Sequence, residues 1–208
     1  MNVRELKELF KIKDFRTTCT EIGISKPEKN SLTIEERERN KEKILGILLL
    51  EVKGREIEKL IANLKSSNFF EIGCNRHHTY PGGVAEHSLE VYKAACKLCK
   101  NTPRDSIAIA ALLHDLGDIG GCRESEHGHA SADILRRWNF ELKPSEEHAI
   151  KYHMWHPHSG EEKEFEEVKK EELWRAVTAG DVYSSGGYKF GSKIIKQLIA
   201  IWTHIGKR

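Results

Sequence analysis

A histidine and an aspartate stand side by side at the end of one of the most apolar stretches of the chain. Residues 107–113 carry no polar side chain, and His114 and Asp115 follow them directly. An ionised carboxylate that is buried without a partner is costly, so such an aspartate normally has a cation or several hydrogen-bond donors beside it. Because imidazole nitrogen and carboxylate oxygen are both common metal ligands, the pair predicts a metal ion at the end of a buried helix.

Other ligand-type side chains fall on the apolar faces or at the ends of other predicted helices. His87, His127, His153 and Asp181 each lie at helical spacing from apolar residues. Taken alone, an inward histidine is more often a core residue with satisfied hydrogen bonds than a ligand. Four such residues on separate helices are harder to explain in this way, since each would need its own buried partner. His129 aligns with polar residues instead and is predicted to face water.

The predicted ligand set combines nitrogen with carboxylate oxygen and contains no thiolate. Such a set suits iron, manganese, cobalt, nickel, magnesium or catalytic zinc, and it argues against a closed structural zinc site. We therefore expect one or two divalent metal ions. Two ions about 3.5–4 Å apart, bridged by a carboxylate, are a common arrangement for in-line attack on phosphorus.

The hydrophobic periodicity is helical almost throughout and predicts an all-α fold. Thr33 is expected to cap one helix, with Glu36 at the capping-box spacing. Residues 69–83 and 116–126 and the acidic segment 156–169 are expected to be loops. Helices are expected near residues 3–13, 34–52, 55–66, 84–100, 103–115, 128–138, 144–155, 170–183 and 191–205.

The composition fits a globular protein with one main domain, which we place at residues 55–208, after a helical extension over residues 1–54. The 34 Lys and Arg nearly balance the 32 Asp and Glu, so charge alone requires neither a nucleic acid nor a membrane partner. No stretch of the sequence approaches the roughly 20 apolar residues that span a bilayer. Five cysteines without a framework spacing favour free thiols in a reducing compartment, and a cytoplasmic location is expected.

The order of the candidate ligands resembles the H…HD…D signature of the HD-domain phosphohydrolase superfamily. His87, the pair His114-Asp115 and Asp181 follow one another in this order. Two phrases are especially similar to small bacterial and phage HD-domain hydrolases, and to the HD domain of a bacterial 3′–5′ exoribonuclease family: HHTYPGGVAEHSLEVY (77–92) and IAALLHDLGD (109–118). The resemblance implies an HD-domain helical bundle with a buried metal centre, which hydrolyses phosphomonoester or phosphodiester bonds, often on nucleotides.

The resemblance covers about residues 55–190 and also implies roles for individual residues. His114 and Asp115 would be the catalytic pair, and Asp115 would bridge to a second ion in members that bind two. The implied metal ligands are four histidines and two carboxylates: His87, His114, Asp115, His127, His153 and Asp181. Because His127 and His153 match further metal-site histidines of the family, two ions are favoured over one. His156 is either another ligand or a loop residue, and the loop is preferred.

The chain departs from the family pattern three residues after the motif aspartate. Many members carry a lysine there, which meets the substrate phosphate, whereas this chain has Asp118. A carboxylate at this position repels a phosphate unless a metal ion or another cation screens it. The candidate substrate-binding residues are His77, Tyr80, Arg123 and Lys151. For His77 and Tyr80, simple packing of their loop against the bundle is an equal alternative.

The expected function is that of a metal-dependent phosphohydrolase in which metal-activated water cleaves a phosphate ester, above all that of a nucleotide. One alternative is a 3′–5′ exonuclease-like activity on RNA or DNA, for which residues 35–66 supply several Lys and Arg. A second is a metal-binding regulatory module that has lost catalysis, which Asp118 favours. A third is an all-α scaffold whose core histidines bind no metal. The balanced charge favours a small nucleotide over a nucleic acid. The sequence assigns no role to residues 1–30 and no oligomeric state.

Overall fold

The computed structural model describes residues 31–123 and 126–185, and this part of the chain is helical without any strand. The expected all-α fold is therefore confirmed, while the helices predicted near 3–13 and 191–205 lie outside the described residues. Within the described part, the α-helices are α1 (Ile34–Glu51), α2 (Ile57–Ser66), α3 (Gly83–Leu98), α4 (Arg104–Leu113), α5 (His127–Arg137), α6 (Pro144–Lys151), α7 (Glu162–Val168) and α8 (Glu172–Ser184). A 3₁₀-helix, Leu116–Gly120, lies between α4 and α5. None of the described helices combines the length and the apolarity needed to cross a membrane.

Helix α1 begins at the predicted capping box. The Thr33 hydroxyl accepts a hydrogen bond from the Glu36 N–H at 3.2 Å, and the Glu36 carboxylate accepts one from the Thr33 N–H at 2.8 Å. Two otherwise orphaned backbone donors are thereby satisfied. Ile44 and Leu48 of α1 are fully buried in the same apolar core as the later helices. The predicted division at residue 54 stays a prediction.

Helix α4 lies at the centre of the bundle. Every residue from Ser106 to Leu113 is buried, and α1, α3, α6 and α8 all pack against this helix. A helix that is apolar on all sides is stable only when neighbours cover each face. The carboxyl end of α4 thus delivers His114 and Asp115 into the interior, where both are almost fully buried.

Helices α3 and α8 approach closely because a glycine lies between them. A Cβ atom on Gly180 would lie only 3.2 Å from both the Ala94 Cβ and the Val91 carbonyl oxygen. The small residue lets the two backbones pack tightly. As a result, His87 of α3 faces Asp181 of α8.

A second close approach joins α5 to the end of α6. A Cβ atom on Gly128 would lie 2.5 Å from the Lys151 carbonyl oxygen, so only glycine fits at this position. The Ser131 hydroxyl also lies 2.5 Å from the His114 carbonyl oxygen, and it accepts a hydrogen bond from the Gly117 N–H at 2.7 Å. These contacts hold the start of α5 against the turn that follows α4.

A buried ion pair anchors α6. The Arg55 guanidinium, between α1 and α2, donates to both oxygens of the Glu146 carboxylate at 2.8 and 2.7 Å. Glu146 is fully buried and also accepts hydrogen bonds from the Ser106 hydroxyl at 2.8 Å and from the Lys143 N–H at 3.0 Å. The carboxylate is therefore paired and hydrogen-bonded on both oxygens, as a buried charge must be.

Two of the expected loops contain short helices. Residues 116–126 include the 3₁₀-helix, and the segment 156–169 includes α7. The sequence pattern does not predict helix α7, because its apolar residues, Phe165 and Val168, span a single helical turn inside an acidic stretch. The Phe165 ring nevertheless packs against Trp174, with ring centroids 5.7 Å apart, and holds α7 on the bundle.

Helix α6 is shorter than expected. It ends at Lys151 rather than near residue 155, and residues 152–154 form a turn. His153 therefore reaches the interior from a turn and not from a helical face.

Candidate metal centre

Three helices bring together a first group of buried ligand-type atoms. The Nε2 atom of His87 lies 3.2 Å from the Nε2 atom of His114 and 3.2 Å from an oxygen of Asp181. The Oδ2 atom of Asp115 lies 3.3 Å from each of these two nitrogens. We call these four side chains the first ligand group.

A second group faces the other oxygen of the same aspartate. The Oδ1 atom of Asp115 lies 3.1 Å from the Nε2 atom of His127 and 3.2 Å from the Nε2 atom of His153. These two nitrogens are 2.7 Å apart. Asp115 thus stands between the first group and this second ligand group, with one oxygen toward each. The structure brings together all six predicted ligands.

The spacing and orientation of these atoms fit metal ions. Ligands bound at about 2.1 Å to an octahedral ion are about 3.0 Å from their neighbours, close to the separations seen here. The Oδ1 atom of Asp115 has no hydrogen-bond partner among the described residues, although two ring nitrogens lie near it. The nitrogens are therefore close to the oxygen without aiming an N–H at it, which is how ligands surround a common point.

Backbone carbonyls fix the tautomer of two of the histidines. The Nδ1 atom of His114 lies 3.0 Å from the Ala111 carbonyl oxygen, and the Nδ1 atom of His153 lies 2.7 Å from the Ile150 carbonyl oxygen. Because a carbonyl only accepts, each Nδ1 must carry the proton. Each Nε2 then presents a lone pair to the centre, as second-shell hydrogen bonds commonly arrange for metal-binding histidines.

The Ser184 hydroxyl and the Glu90 carboxylate fix the tautomer of His87. The Ser184 hydroxyl donates to the Glu90 carboxylate at 2.7 Å and lies 3.0 Å from the Nδ1 atom of His87. Since the hydroxyl proton is committed to Glu90, Ser184 accepts from the Nδ1–H of His87. The Nε2 atom of His87 is thereby left free to bind a cation.

The buried carboxylates of the centre are stabilised by positive charge close to them. Burial alone would raise the pKa of Asp115, yet the neighbouring imidazole rings of His114 and His127 hold it well below its usual range. Burial alone would lower the pKa of His127, but the Asp115 and Asp118 carboxylates raise it to about 9. The pKa of Asp181 is likewise lowered to about 2, against the effect of burial, by the neighbouring imidazole rings. A divalent cation would supply this positive charge directly.

Asp118 and Cys74 border the centre, and the hydrogen bonding of Asp118 is incomplete. The Asp118 side chain is 6% exposed, and its Oδ1 atom lies 3.9 Å from the Nδ1 atom of His127. Neither of these two atoms has a hydrogen-bond partner among the described residues. Burial and the charge of Asp115 raise the pKa of Asp118 to about 6, and burial raises the pKa of the Cys74 thiol. Ligand atoms of Cys74, Asp115 and Asp118 all lie within 4.8 Å of one another.

The four predicted substrate-binding residues lie in different surroundings. The His77 ring packs against the His87 ring, with centroids 4.5 Å apart, so His77 borders the first ligand group. The Tyr80 hydroxyl donates to the Glu86 carboxylate at 2.7 Å. Arg123 is exposed. The ammonium group of Lys151 lies 2.6 Å from the Glu161 carboxylate. Of the four, the structure places His77 against a candidate ligand.

A separate histidine cluster surrounds Glu161. The His129 and His158 rings stack with centroids 3.6 Å apart and planes 7° from parallel, and His129 Nε2 lies 2.9 Å from a Glu161 oxygen. The prediction that His129 faces water is wrong, since its side chain is only 11% exposed. The reason is that His158 and Glu161, both distant in sequence, cover it. His156 lies in an exposed loop, in agreement with the preferred alternative.

The fold and the site define a class of helical domain that gathers histidines and aspartates from successive helices at a buried centre. Residues 84–182 match the family model of the HD domain, and this segment belongs to the HD-domain family. The match includes all six predicted ligands, whereas Cys74, His77 and Tyr80 precede it. HD domains bind divalent metal ions and belong to a superfamily of metal-dependent hydrolases. Neither the curated proteins nor the solved structures contain a match to the chain.

Proposed function

We propose that the protein is a binuclear metal-dependent phosphohydrolase that cleaves a phosphate ester of a nucleotide. The observation that carries the proposal is the position of Asp115, whose two oxygens face two different groups of imidazole nitrogens. A carboxylate that touched a single ion would need ligands on one side only. Nitrogens on both sides support one ion in each group, with Asp115 as the bridge.

The proposed role of the protein side chains is to hold the two groups rigidly and to exclude competing protons. In the first group, His87 and His114 present lone pairs because their Nδ1 atoms are hydrogen-bonded elsewhere. In the second, His153 is fixed in the same way. Divalent ions bound there would lower the pKa of water and neutralise charge on the phosphate oxygens.

His77 is the proposed substrate contact nearest the centre. Its ring lies against His87, and burial lowers its pKa to about 3, so it meets the substrate as a neutral imidazole. Lys151 could contact substrate only after leaving Glu161, and the Tyr80 hydroxyl only after leaving Glu86. Arg123 is exposed and remains a candidate cation for a phosphate.

The choice of a nucleotide rests on the balanced charge of the chain, which offers no excess of cations for a long polyanion. The four free cysteines of the described residues fit a reducing compartment, so the cytoplasm is the proposed location.

The proposal is tested by metal content and phosphate release in parallel. The full chain is purified without added metal, analysed for metal, and assayed with Mn²⁺, Fe²⁺, Co²⁺, Ni²⁺ and Mg²⁺ on nucleotides and short oligonucleotides. The variant is Asp115→Asn, which keeps the size of the side chain but removes its charge. The matched control is Asp133→Asn on the exposed side of α5, where the carboxylate is 62% exposed.

The expected result is about two ions per chain and turnover of a nucleotide. Asp115→Asn should lose at least one ion and reduce turnover by a factor of about 100–1000, as expected for a lost catalytic electrostatic contact. Asp133→Asn should match the parent. Bound metal without turnover on any substrate would instead favour a metal-binding regulatory module. Turnover on oligonucleotides alone would favour the exonuclease alternative.

A further inference from the structure

Cys74 and Asp118 place a thiol and a carboxylate beside Asp115, outside the two ligand groups. Each of the three side chains offers a ligand atom within 4.8 Å of the others. Cys74 is 5% exposed and lies in the loop before α3, ahead of the segment that matches the HD domain. Asp118 lies in the 3₁₀-helix after α4. The arrangement therefore comes from two separate parts of the chain.

The Asp118 carboxylate lacks the partners that a buried acid needs. Its side chain is only 6% exposed, and its Oδ1 atom has no hydrogen-bond partner among the described residues. In the described part of the chain, the group that lies within ion-pair distance of it is the ring of His127, at 3.9 Å. A buried polar group without a partner is unfavourable, and more so when it is charged. A buried oxygen without a partner, such as Oδ1 of Asp118, indicates that the site binds a ligand.

We propose that Cys74, Asp118 and Asp115 form a pocket that binds a thiophilic divalent cation beside the two ligand groups. The inference rests on the proposed metal centre, since Asp115 belongs to both. On binding, the Cys74 thiol forms a metal–sulfur bond and its proton leaves to solvent. No electron is transferred.

The chemistry of the three side chains selects the class of cation. A thiolate is a soft ligand, so the pocket favours zinc, cobalt or ferrous iron over magnesium and calcium, which prefer oxygen alone. A cation would also satisfy the unpartnered Asp118 oxygen. A water molecule could also donate a hydrogen bond to this Asp118 oxygen. Water would leave the Cys74 thiol protonated, however, so a metal–sulfur bond distinguishes a bound cation from bound water.

The experiment is a titration of the full chain, stripped of metal, with Co²⁺. A thiolate bound to cobalt gives an intense near-ultraviolet charge-transfer absorption band that nitrogen and oxygen ligands do not give. The chains compared are the parent, Cys74→Ser, Cys74→Ala and Asp118→Asn. The matched control is Cys122→Ser, since the Cys122 thiol follows the 3₁₀-helix that carries Asp118 but donates to the Gly117 carbonyl oxygen at 3.3 Å.

The band is expected in the parent and in Cys122→Ser and should be absent from both Cys74 variants. Asp118→Asn should weaken the affinity measured from the band by about 10-fold or more. Circular dichroism and thermal melting establish that each variant is folded. Cobalt that binds without the band, or a band that survives in Cys74→Ala, would overturn the pocket but leave the proposed centre intact. A parent chain that binds no cobalt at all would overturn both.

Discussion

Replacing Arg55 with methionine should destabilise the protein strongly, although Arg55 touches none of the candidate ligands. The change removes both guanidinium hydrogen bonds to Glu146, which is fully buried. It also removes the contact of the guanidinium with the Phe140 ring, 5.0 Å from its centroid. Methionine keeps much of the apolar stem, so the loss is mainly that of the charge.

The magnitude follows from what remains around the carboxylate. Breaking a buried ion pair by removing one partner costs about 3–5 kcal/mol, because the other charge stays buried. Here the Ser106 hydroxyl and the Lys143 N–H still donate to Glu146, and Arg55 itself is 18% exposed. We therefore expect the lower end, about 3 kcal/mol. For a chain of this size, the melting temperature should fall by about 6–12 °C.

Urea and thermal unfolding, followed by circular dichroism, give the two values. The control is Arg136→Met, in which an arginine that is 49% exposed loses its partners Asp133 and Glu147, which are 62% and 30% exposed. This control should lose less than about 1 kcal/mol. The double variant Arg55→Met/Glu146→Leu should recover more than half of the loss, since no charge is left buried.

Equal losses in Arg55→Met and Arg136→Met would refute the argument that burial of Glu146 makes the pair important. A double variant less stable than Arg55→Met would do the same. The ion pair also matters for the site, because it anchors α6 and the turn after α6 carries His153.

The remaining predictions concern backbone packing, pH and metal removal. Gly128→Ala should destabilise the fold by about 1–3 kcal/mol, as measured by urea unfolding, because the new Cβ would lie 2.5 Å from the Lys151 carbonyl oxygen; Gly46→Ala, with open space around it in α1, should be neutral or stabilise by up to about 1 kcal/mol. A hydrogen bond to Glu171 raises the pKa of His148 despite partial burial, so the contribution of His148 to the free energy of unfolding is fully present below the ordinary pKa of about 6.5 and is lost as the pH rises through the raised value. Between pH 6 and 9, the free energy of unfolding should therefore fall less steeply with pH for His148→Gln than for the parent. Equal slopes would contradict this. A chelator should lower the melting temperature by about 5–10 °C if the ion was present at about 100 times its dissociation constant, and added metal should restore it.

Much of the centre could be predicted from the sequence because its ligands sit on strongly periodic helices. His87 and Asp181 lie on the apolar faces of α3 and α8, and the pair His114-Asp115 ends an apolar run that can only be a core helix. For these residues, the helical period alone predicts the inward direction.

The rest depended on contacts between distant parts of the chain. Nothing in the loop around Cys74 indicated that its thiol would meet Asp118, because loops carry no period. His129 lies on the polar side of α5, and the later residues His158 and Glu161 cover it. Helix α7 is too short, with two apolar residues, for its period to stand out in the sequence.

The most direct test of the binuclear centre is anomalous diffraction from crystals of the protein grown with Mn²⁺. We expect two peaks about 3.5–4 Å apart, one on each side of the Asp115 carboxylate. The first should be bound by His87, His114 and Asp181, and the second by His127 and His153. A single peak at Asp115, or peaks only at the cluster around Glu161, would contradict a binuclear centre.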